Sequence, residues 1–585
     1  MTHSLHIEEN VPTEMRDGTA LRSDIYRPYD NGRHPAILIR SFDKTRFGRL
    51  SGGRLMDIID LVQSGYAFVT QDMRGRHASE GEWKPEEMLK VEGRDGYDSV
   101  EWIAGQNWCD GNVGMLGYSH ASRCAWLAAS ESPPHLKAIA PWSFGAPVGQ
   151  RRSVPPISSG VISLILSLSW LINEAPDAVD RLERDGHDVT EMRRTLDHAM
   201  LNPAAYYNYL PLKNIPFARF DRIAQLWNSQ LHPAISAGVA GSAGQQTFRE
   251  IMLPCSFQCG WYDGNGWATL ETFRNMTEKA GPRNNPHLLV GAWLHGLPAN
   301  HLGSMNFGRQ AAGPYGRMPI SEYLKNFFDK YLRGKDKEIP VVTYFIMGRN
   351  EWREADAWPL PKTQWQRFFF HSKGAANTAA GDGLLSLDEP GSESPDRFIY
   401  DPLNPVPTVG GRIISAPAGF GFVAGPLEQS AVEKRHDVLC YTTPELREDV
   451  EVTGPLEIHL FAATSVESTD FTAKLVDVYP DGRAHNVADG ITRISSAGSA
   501  ENQTVKHDGV YELVIGMGYT SQLFREGHSI RIDISSSNFP LYERNMNTGN
   551  PVGEDADGIP AMQMVFHQSE YASYIDLPVI PAGSA

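Results

Sequence analysis

The chain has 585 residues, of which 41% are hydrophobic and 21% charged, and its formal net charge is −17. This length exceeds what one hydrophobic core organises, so we expect about two to four domains with the composition of an ordinary soluble protein. The negative charge, with no run of lysines or arginines, excludes nucleic acid as a partner, because phosphate binding needs a basic face.

The N-terminal segment and the cysteines predict a cytoplasmic protein. No basic segment followed by an apolar stretch opens the chain, so we expect no signal peptide. The most apolar long run, residues 159–172, is shorter than the roughly 18 residues of a membrane span and is typical of a helix that covers a pocket. The 5 cysteines indicate reduced thiols. Cys255 and Cys259 lack a second pair at ligand spacing, so no metal site is expected.

The first third of the chain alternates strand-like and helix-like segments. Helical stretches at 54–65 and 95–106 separate short β-rich runs, which lie at 34–41, 66–72, 112–117 and 136–142. Strands that alternate with helices predict a parallel sheet with helices on both faces. Ligands of such sheets bind beyond the carboxyl ends of the strands.

The texture then changes twice along the chain. Residues 149–247 are rich in helices and loops, as an inserted cap would be; strand runs return at 253–264 and 286–296, and a helix follows at 319–334. After about residue 350, short alternating segments separated by turn residues predict an antiparallel β-sandwich. We therefore predict three units, an α/β domain, a helical cap and an all-β domain, over residues 1–148 with 248–350, 149–247, and 351–585.

The segment GMLGYSHASRCAWLAA, residues 114–129, is similar to the strand–turn–helix elbow that exposes a nucleophilic serine. The usual pattern is G-x-S-x-G, and Ala121 stands where its last glycine belongs. A serine hydroxyl must lose its proton as it attacks, so an imidazole has to lie within hydrogen-bond reach and a carboxylate has to orient that imidazole. Ser119 alone is therefore a weak indication of catalysis.

The chain also supplies the two partners in the order Ser, Asp, His that α/β-hydrolases use. Asp263 and His295 each end a strand run and each precede a glycine, so with Ser119 they are expected at one edge of the sheet. Two other histidines compete with His295. His287 opens its strand and is expected at the opposite edge, whereas His301 lies in the following loop and is the stronger alternative.

Several long motifs carry a family resemblance. The segments QDMRGRHASEGEW, GYDSVEWIAGQNWCDGNVGMLGYS, GWYDG and GAWLHG resemble the cocaine esterase-like hydrolases, the CocE/NonD family, and DFTAKLVDVYPDGRAHNVADGITR resembles that family's C-terminal domain. The resemblance runs from about residue 8 to the C-terminus and is weakest in the cap. It implies an α/β-hydrolase domain with a helical cap and a C-terminal jelly roll. It also places the family's catalytic triad on Ser119, Asp263 and His295.

Two departures from the family pattern bear on catalysis. The family elbow commonly reads G-x-S-Y-x-G, but here His120 replaces the tyrosine and Ser122 the glycine. The family's oxyanion hole combines the main-chain N–H after the serine, here that of His120, with a tyrosine hydroxyl; this chain has Phe42 at that tyrosine, and phenylalanine has no hydroxyl to donate. Either a substitute donor exists, or the enzyme acts slowly on a specialised ester, or the scaffold performs another reaction.

Other residues near these motifs have less specific interpretations. Trp142 and Phe144 follow a strand and either line the pocket or pack under the cap, while Asn265 and Trp267 are predicted to face the pocket. The QDMRGR loop, residues 71–76, is interpreted as a structural brace. No Gly-rich phosphate loop and no H-E-x-x-H motif occur, so neither a cofactor nor a metal is predicted.

The sequence thus predicts a serine hydrolase that cleaves a small-molecule carboxylic ester, or an amide, through an acyl-enzyme on Ser119. Two alternatives stay open: an acyltransferase or another non-hydrolytic enzyme on the same scaffold, and a catalytically silent binding protein. The resemblance suggests a homodimer. Neither the substrate nor the group that replaces the oxyanion-hole hydroxyl follows from the sequence.

Overall fold

The computed structural model describes residues 4–41, 56–82, 88–143, 160–231, 251–280, 284–295, 298–314, 319–414, 421–495, 503–506 and 508–582. Its first twelve strands are β1 Leu5–Glu14, β2 Ala20–Pro28, β3 His34–Ser41, β4 Ala67–Asp72, β5 Cys109–Tyr118, β6 Leu136–Trp142, β7 Cys255–Tyr262, β8 Pro286–Leu294, β9 His301–Leu302, β10 Met305–Asn306, β11 Val342–Ile346 and β12 Glu351–Ala355. Ten of them form one sheet in the order β1-β2-β4-β3-β5-β6-β7-β8-β11-β12, and β9 and β10 form a second, two-stranded sheet.

The centre of this sheet is parallel and its edges are antiparallel. Strands β4, β3, β5, β6, β7, β8 and β11 run parallel to one another, whereas the pairs β1–β2, β2–β4 and β11–β12 are antiparallel. Every residue of β4 and β7 is buried, as expected for strands covered on both faces. The carboxyl ends of β5, β7 and β8 therefore lie along one edge, which is the edge where the candidate site forms.

Helices cover both faces of the sheet. They are α1 Ile58–Gln63, α2 Met88–Ala104, α3 His120–Ser130, α4 Leu164–Arg184, α5 Thr190–Leu201, α6 Ala204–Tyr207, α7 Asp221–Leu231, α8 Gly266–Ala280 and α9 Pro319–Arg333, with 3-10 turns at Leu212–Asn214, Pro216–Arg219 and Arg309–Ala312. The α2, α3 and α8 side chains share one buried cluster with the strands, and those of α1 and α9 share another. Helices α4 to α7 come between β6 and β7 and form a separate core around Trp227 and Phe217.

The remaining strands form the predicted all-β part. They are β13 Gln364–His371, β14 Leu384–Ser386, β15 Asp396–Tyr400, β16 Leu439–Thr442, β17 Val450–Thr464, β18 Ser468–Val478, β19 Ala484–Ser495, β20 Gln503–Val505, β21 Tyr511–Phe524, β22 Ser529–Ser535, β23 Ala561–Gln568, β24 Tyr571–Ala572 and β25 Tyr574–Ile580. Among the described residues their pairings are antiparallel apart from β14 with β16.

The two sheets share a continuous core. Trp358 links them, because its ring lies 5.9 Å from that of Trp261 on β7 and 6.0 Å from that of Tyr519 on β21. The predicted fold class, an α/β domain with a helical insertion and a C-terminal all-β domain, is confirmed. The domain boundaries given above stay a prediction.

Candidate active site

A strained turn places Ser119 between β5 and α3. The serine has φ 53° and ψ −118°, a backbone conformation outside the common regions for a non-glycine residue. Its N–H donates to the carbonyl of Trp142 at the end of β6, at 2.9 Å, and its carbonyl accepts from Ser122 N–H at 3.0 Å. Such strain in a strand–turn–helix element is typical of a nucleophile elbow.

The first glycine of the elbow explains how the turn closes without the last one. A Cβ at Gly117 would lie 2.2 Å from the carbonyl carbon and oxygen of Ala121 and 2.4 Å from the Ser122 nitrogen. The helix therefore crosses directly over Gly117. Ala121 and Ser122 are both buried in this turn, so their small side chains are accommodated at the positions where the patterns have glycine.

Asp263, His295 and Ser119 form a hydrogen-bonded chain. His295 Nδ1 lies 2.7 Å from Asp263 Oδ1, and its Nε2 lies 3.0 Å from Ser119 Oγ. Asp263 Oδ1 also accepts from the Asn265 N–H at 2.8 Å. Asp263 and His295 are 1% and 8% exposed, so water competes little for these bonds. The centre of the Tyr118 ring lies 4.9 Å from that of the His295 imidazole, so the two rings pack side by side.

The histidine after Ser119, His120, has a positively charged environment. Burial, and then the nearby charges of Arg123, Arg76 and Arg40, hold the pKa of His120 well below its usual value. Its Nδ1 lies 3.8 Å from Cys124 Sγ, one turn along α3. A neutral imidazole retains a single N–H, so His120 has one side-chain hydrogen to donate.

A buried carboxyl lies behind the same helix. Glu92 Oε2 lies 3.2 Å from Arg40 Nη1 and 3.9 Å from Cys124 Sγ, and Arg40 is completely buried. Burial raises the pKa of Glu92 to about 7 although the Arg40 charge opposes the shift. The Glu92 carboxyl therefore changes its charge near neutral pH, and it does so in contact with Cys124 of α3, the helix that begins at the elbow.

The QDMRGR loop connects this region to the helical insertion. Arg74 makes two hydrogen bonds to Asp95, at 2.7 and 2.9 Å. Arg76 pairs with Glu174 on α4 and lies 3.6 Å from Asp177, one turn further along that helix. These contacts agree with the interpretation of the loop as a brace, and they give it a second task, which is to dock the insertion onto the α/β domain.

The other residues named from the sequence fall into different surroundings. Trp142 is buried and stacks on Trp293 at 5.6 Å, which favours the packing alternative over a pocket wall. Trp267 is partly buried against the shared core, near Gly518 of β21. Asn265 contributes its N–H to Asp263, as described above. The two phenylalanines, Phe42 and Phe144, lie outside the described residues.

The two competing histidines have other partners. His287 Nδ1 lies 2.9 Å from the Pro340 carbonyl and its Nε2 2.8 Å from the Tyr331 hydroxyl, at the start of β8. His301 is exposed on β9. It is His295 that reaches Ser119.

Sequence reasoning missed three residues that the structure connects to the site or to its supporting loops, namely Glu92, Glu174 and Arg412. The two missed carboxylates each lie on a helix, and a single acidic residue on a helix does not identify a partner. Arg412 is remote in sequence from every motif, and its contacts are described below. Within the described ranges, no group of three or more His, Cys, Asp or Glu side chains is arranged to hold a metal ion. No helix in the described part of the chain is long and apolar enough to cross a membrane.

Comparisons with known proteins cover almost the whole chain. Residues 17–297 match the X-Pro dipeptidyl-peptidase (S15) family, and residues 334–576 match the X-Pro dipeptidyl-peptidase C-terminal non-catalytic domain. A cocaine esterase from Rhodococcus sp. strain MB1 Bresler is 36% identical over 592 aligned residues, with 98% of each chain covered.

Two solved structures share the fold. One is an aminopeptidase from the marine sediment archaeon Thaumarchaeota archaeon, with a TM-score of 0.74 and 22% identity, and the other is an α-amino acid ester hydrolase, with a TM-score of 0.72 and 22% identity. Each match covers 99% of this chain and 97% of the other. These matches confirm the predicted resemblance: the chain belongs to the CocE/NonD family of serine esterase-type hydrolases.

Proposed function

We propose that this protein hydrolyses a carboxylic ester through an acyl-enzyme on Ser119, with His295 as general base and Asp263 as its orienting carboxylate. One observation supports the proposal most directly: the chain of hydrogen bonds from Asp263 through His295 to Ser119, with distances of 2.7 and 3.0 Å. The carboxylate holds Nδ1 protonated, which leaves Nε2 free to accept the serine proton.

The reaction then proceeds in two half-reactions. Ser119 Oγ attacks the ester carbonyl carbon while its proton moves to His295 Nε2, and the C–O bond to the alcohol breaks as that proton passes to the leaving oxygen. Water next attacks the acyl-enzyme, His295 takes up a proton of that water, and the proton returns to Ser119 as the acid is released. Asp263 stabilises the imidazolium that forms in each half-reaction.

The negative oxygen of each tetrahedral intermediate needs donors. We assign one of them to the main-chain N–H of His120, because His120 is the first residue of α3 and directly follows Ser119, where the nucleophile elbow supplies its oxyanion-hole N–H. Phe42 stands at the second family position and has no hydroxyl. The second donor in this proposal is therefore another group, and the neutral His120 side chain and Ser41 are the candidates.

The relatives favour an ester over an amide. The cocaine esterase, at 36% identity, is by its name an esterase, whereas the aminopeptidase is only 22% identical. An alcohol is also the better leaving group, so an ester places less demand on an oxyanion hole that lacks one family donor. We therefore expect turnover of small-molecule esters to exceed that of the matching amides.

Labelling with a fluorophosphonate probe, read by peptide mass spectrometry, tests the assignment. The wild type is compared with Ser119→Ala, His295→Ala and His301→Ala, the last being the matched histidine control. We expect the label on Ser119, lost in the first two variants and retained in the third. Label that survives His295→Ala but not His301→Ala would contradict the assignment of the base.

Product analysis separates hydrolysis from the other reactions of this scaffold. Added alcohol or amine acceptors that divert the acyl group would indicate an acyltransferase, which the Phe42 departure also allows. A folded wild type without label that is thermally stabilised by ester analogues would indicate a binding protein. The homodimer and the cytoplasmic location expected from the sequence stay predictions, which light scattering and cell fractionation would test.

A further inference from the structure

The all-β part of the chain holds the loop that carries Asp263. The pairing of β7 with β8 is irregular between Gly260 and Tyr262, so Trp261 lacks a regular register partner in the sheet. The Trp261 carbonyl instead accepts a hydrogen bond from Arg412 Nε at 3.2 Å. Tyr262 is held from the same side, because its hydroxyl donates to the Asn486 carbonyl at 2.9 Å. The two residues directly before Asp263 are thus both anchored to another domain.

Arg412 makes contacts that only a guanidinium can make together. Besides Trp261, its Nη1 donates to the Met517 carbonyl and its Nη2 to the Tyr519 carbonyl at 2.9 Å. The three acceptors of the Arg412 guanidinium are main-chain carbonyls, and among the described residues Arg412 forms no ion pair. Three acceptors in fixed positions around one planar group determine where the group lies. Arg412 therefore ties the end of β7 to β21.

The segment around Arg412 is closely packed, and main-chain hydrogen bonds join it to the segment around Gly425. Gly411 and Gly425 exchange two main-chain hydrogen bonds, at 2.8 and 2.9 Å. A Cβ at Gly518 would lie 2.6 Å from Arg412 Nη1, and one at Gly264 would meet the Ile414 side chain and, at 3.0 Å, the Arg412 carbonyl oxygen. Gly264, the residue after Asp263, thus lies against the segment that carries Arg412. A movement of Arg412 therefore displaces the loop of residues 261–265, which we call the acid loop.

The Asp263 side chain has little else to fix it. Its Oδ1 receives the bonds from His295 and from the Asn265 N–H, while its buried Oδ2 has no hydrogen-bond partner among the described residues. The direction of the carboxylate therefore depends on where the main chain of residues 261–265 lies. A shift of that main chain changes the Asp263–His295 bond directly.

We propose that Arg412 is a positioning residue, which acts through the main chain of residues 261–265 to aim the Asp263 carboxylate at His295. The proposal rests on the function proposed above, since it assigns Asp263 the role of orienting the base. Arg412 lies outside the α/β domain that carries Ser119, Asp263 and His295. In this proposal the all-β domain contributes to catalysis, because one of its residues positions the Asp263 carboxylate.

Substitution of Arg412 tests the proposal. Arg412→Met keeps the aliphatic stem and loses all three bonds, whereas Arg412→Lys keeps the charge but cannot bridge three carbonyls. Arg525→Met is the matched control, because Arg525 Nη2 also donates across the two sheets, to the Gly348 carbonyl at 2.6 Å, far along the chain from the site. We expect kcat to fall by up to about 10²-fold in Arg412→Met with KM nearly unchanged, since a misplacement of about 1 Å has that effect. Arg412→Lys should recover part of the loss.

A double variant separates this role from a general loss of stability. If Arg412 acts through Asp263, Arg412→Met lowers kcat much less in an Asp263→Asn background than in the wild type, because the two changes remove the same function. Equal losses in both backgrounds would overturn the proposal, as would a kcat in Arg412→Met equal to that in Arg525→Met. Rates are referred to the folded fraction measured by circular dichroism.

A spectroscopic readout keeps the test independent of turnover. We expect the short His295 Nδ1–H···Asp263 bond, at 2.7 Å, to give a low-field proton resonance, which Asp263→Asn should remove and thereby assign. We expect Arg412→Met to shift or broaden this resonance and Arg525→Met to leave it unchanged. An unchanged resonance in Arg412→Met overturns the positioning role. A wild type that shows the resonance but takes no fluorophosphonate label overturns the proposed function instead.

Discussion

Replacement of Gly117 by alanine tests whether the elbow geometry produces the activity. The new Cβ would lie 2.2 Å from the carbonyl carbon and oxygen of Ala121, whereas ordinary contact begins at 3.4 Å. These are main-chain atoms of α3, so no side-chain rotation relieves the overlap. The first turn of the helix, or β5 itself, has to move by about 1 Å, and Ser119 moves with it.

The expected loss is large in rate and moderate in stability. A displacement of about 1 Å at a reacting group costs up to about 10²-fold in kcat, and overpacking of this kind costs about 1–3 kcal/mol of folding free energy. Gly105→Ala is the control, because a Cβ there lies 3.5 Å from its nearest neighbours, the Glu101 and Trp102 carbonyl oxygens. We expect Gly105→Ala to retain wild-type rates.

Ester turnover, the rate of fluorophosphonate labelling and thermal unfolding are measured on both variants and the wild type. Gly117→Ala should label slowly while a folded population persists at the assay temperature. Wild-type kcat and labelling in Gly117→Ala would refute the reasoning, because the serine would then tolerate a displaced elbow. Equal losses in Gly117→Ala and Gly105→Ala would show that the effect is not specific to the elbow.

Three further predictions concern charge and the oxyanion hole. Burial raises the pKa of Glu92 from 4.5 to about 7, so the folded protein loses stability as pH rises through that range. The Glu92→Gln variant lacks this loss, so the Tm of the variant minus the Tm of the wild type should increase between about pH 5 and pH 8. A difference in Tm that stays constant with pH would contradict the prediction. Arg76→Met removes a buried partner of Glu174 and should cost about 3–5 kcal/mol, seen as faster proteolysis of residues 160–231, with a smaller loss when Glu174→Met is added. Phe42→Tyr should raise kcat for simple esters by up to about 10²-fold, and a lower rate in a folded variant would contradict this.

The buried strands of the α/β domain are predictable because their own sequences are mostly apolar and are bounded by turn residues. Residues 34–41 and 136–142 were predicted as strands, and β3 and β6 have those bounds. Neither β1 nor β2 is among the strands predicted from the sequence. Strand β1 lies at an edge, is exposed along most of its length and has no apolar run, whereas β2 is mostly buried but mixes polar residues among its apolar ones. An edge strand is selected by its neighbour more than by its own composition.

The sequence by itself determined the fold class, the family and the order of Ser119, Asp263 and His295, because burial on both faces and turn residues at strand ends leave local patterns. Only the tertiary structure decided that His295 and not His301 reaches Ser119 and that Arg76 meets Glu174. It also decided that Arg412, which is remote along the chain, donates a hydrogen bond to the Trp261 carbonyl in the acid loop. The residues of each of these pairs lie far apart along the chain, so no local sequence pattern connects them. The contacts form only when different helices, strands and loops pack against each other, and for that reason they cannot be read from any one segment of the sequence.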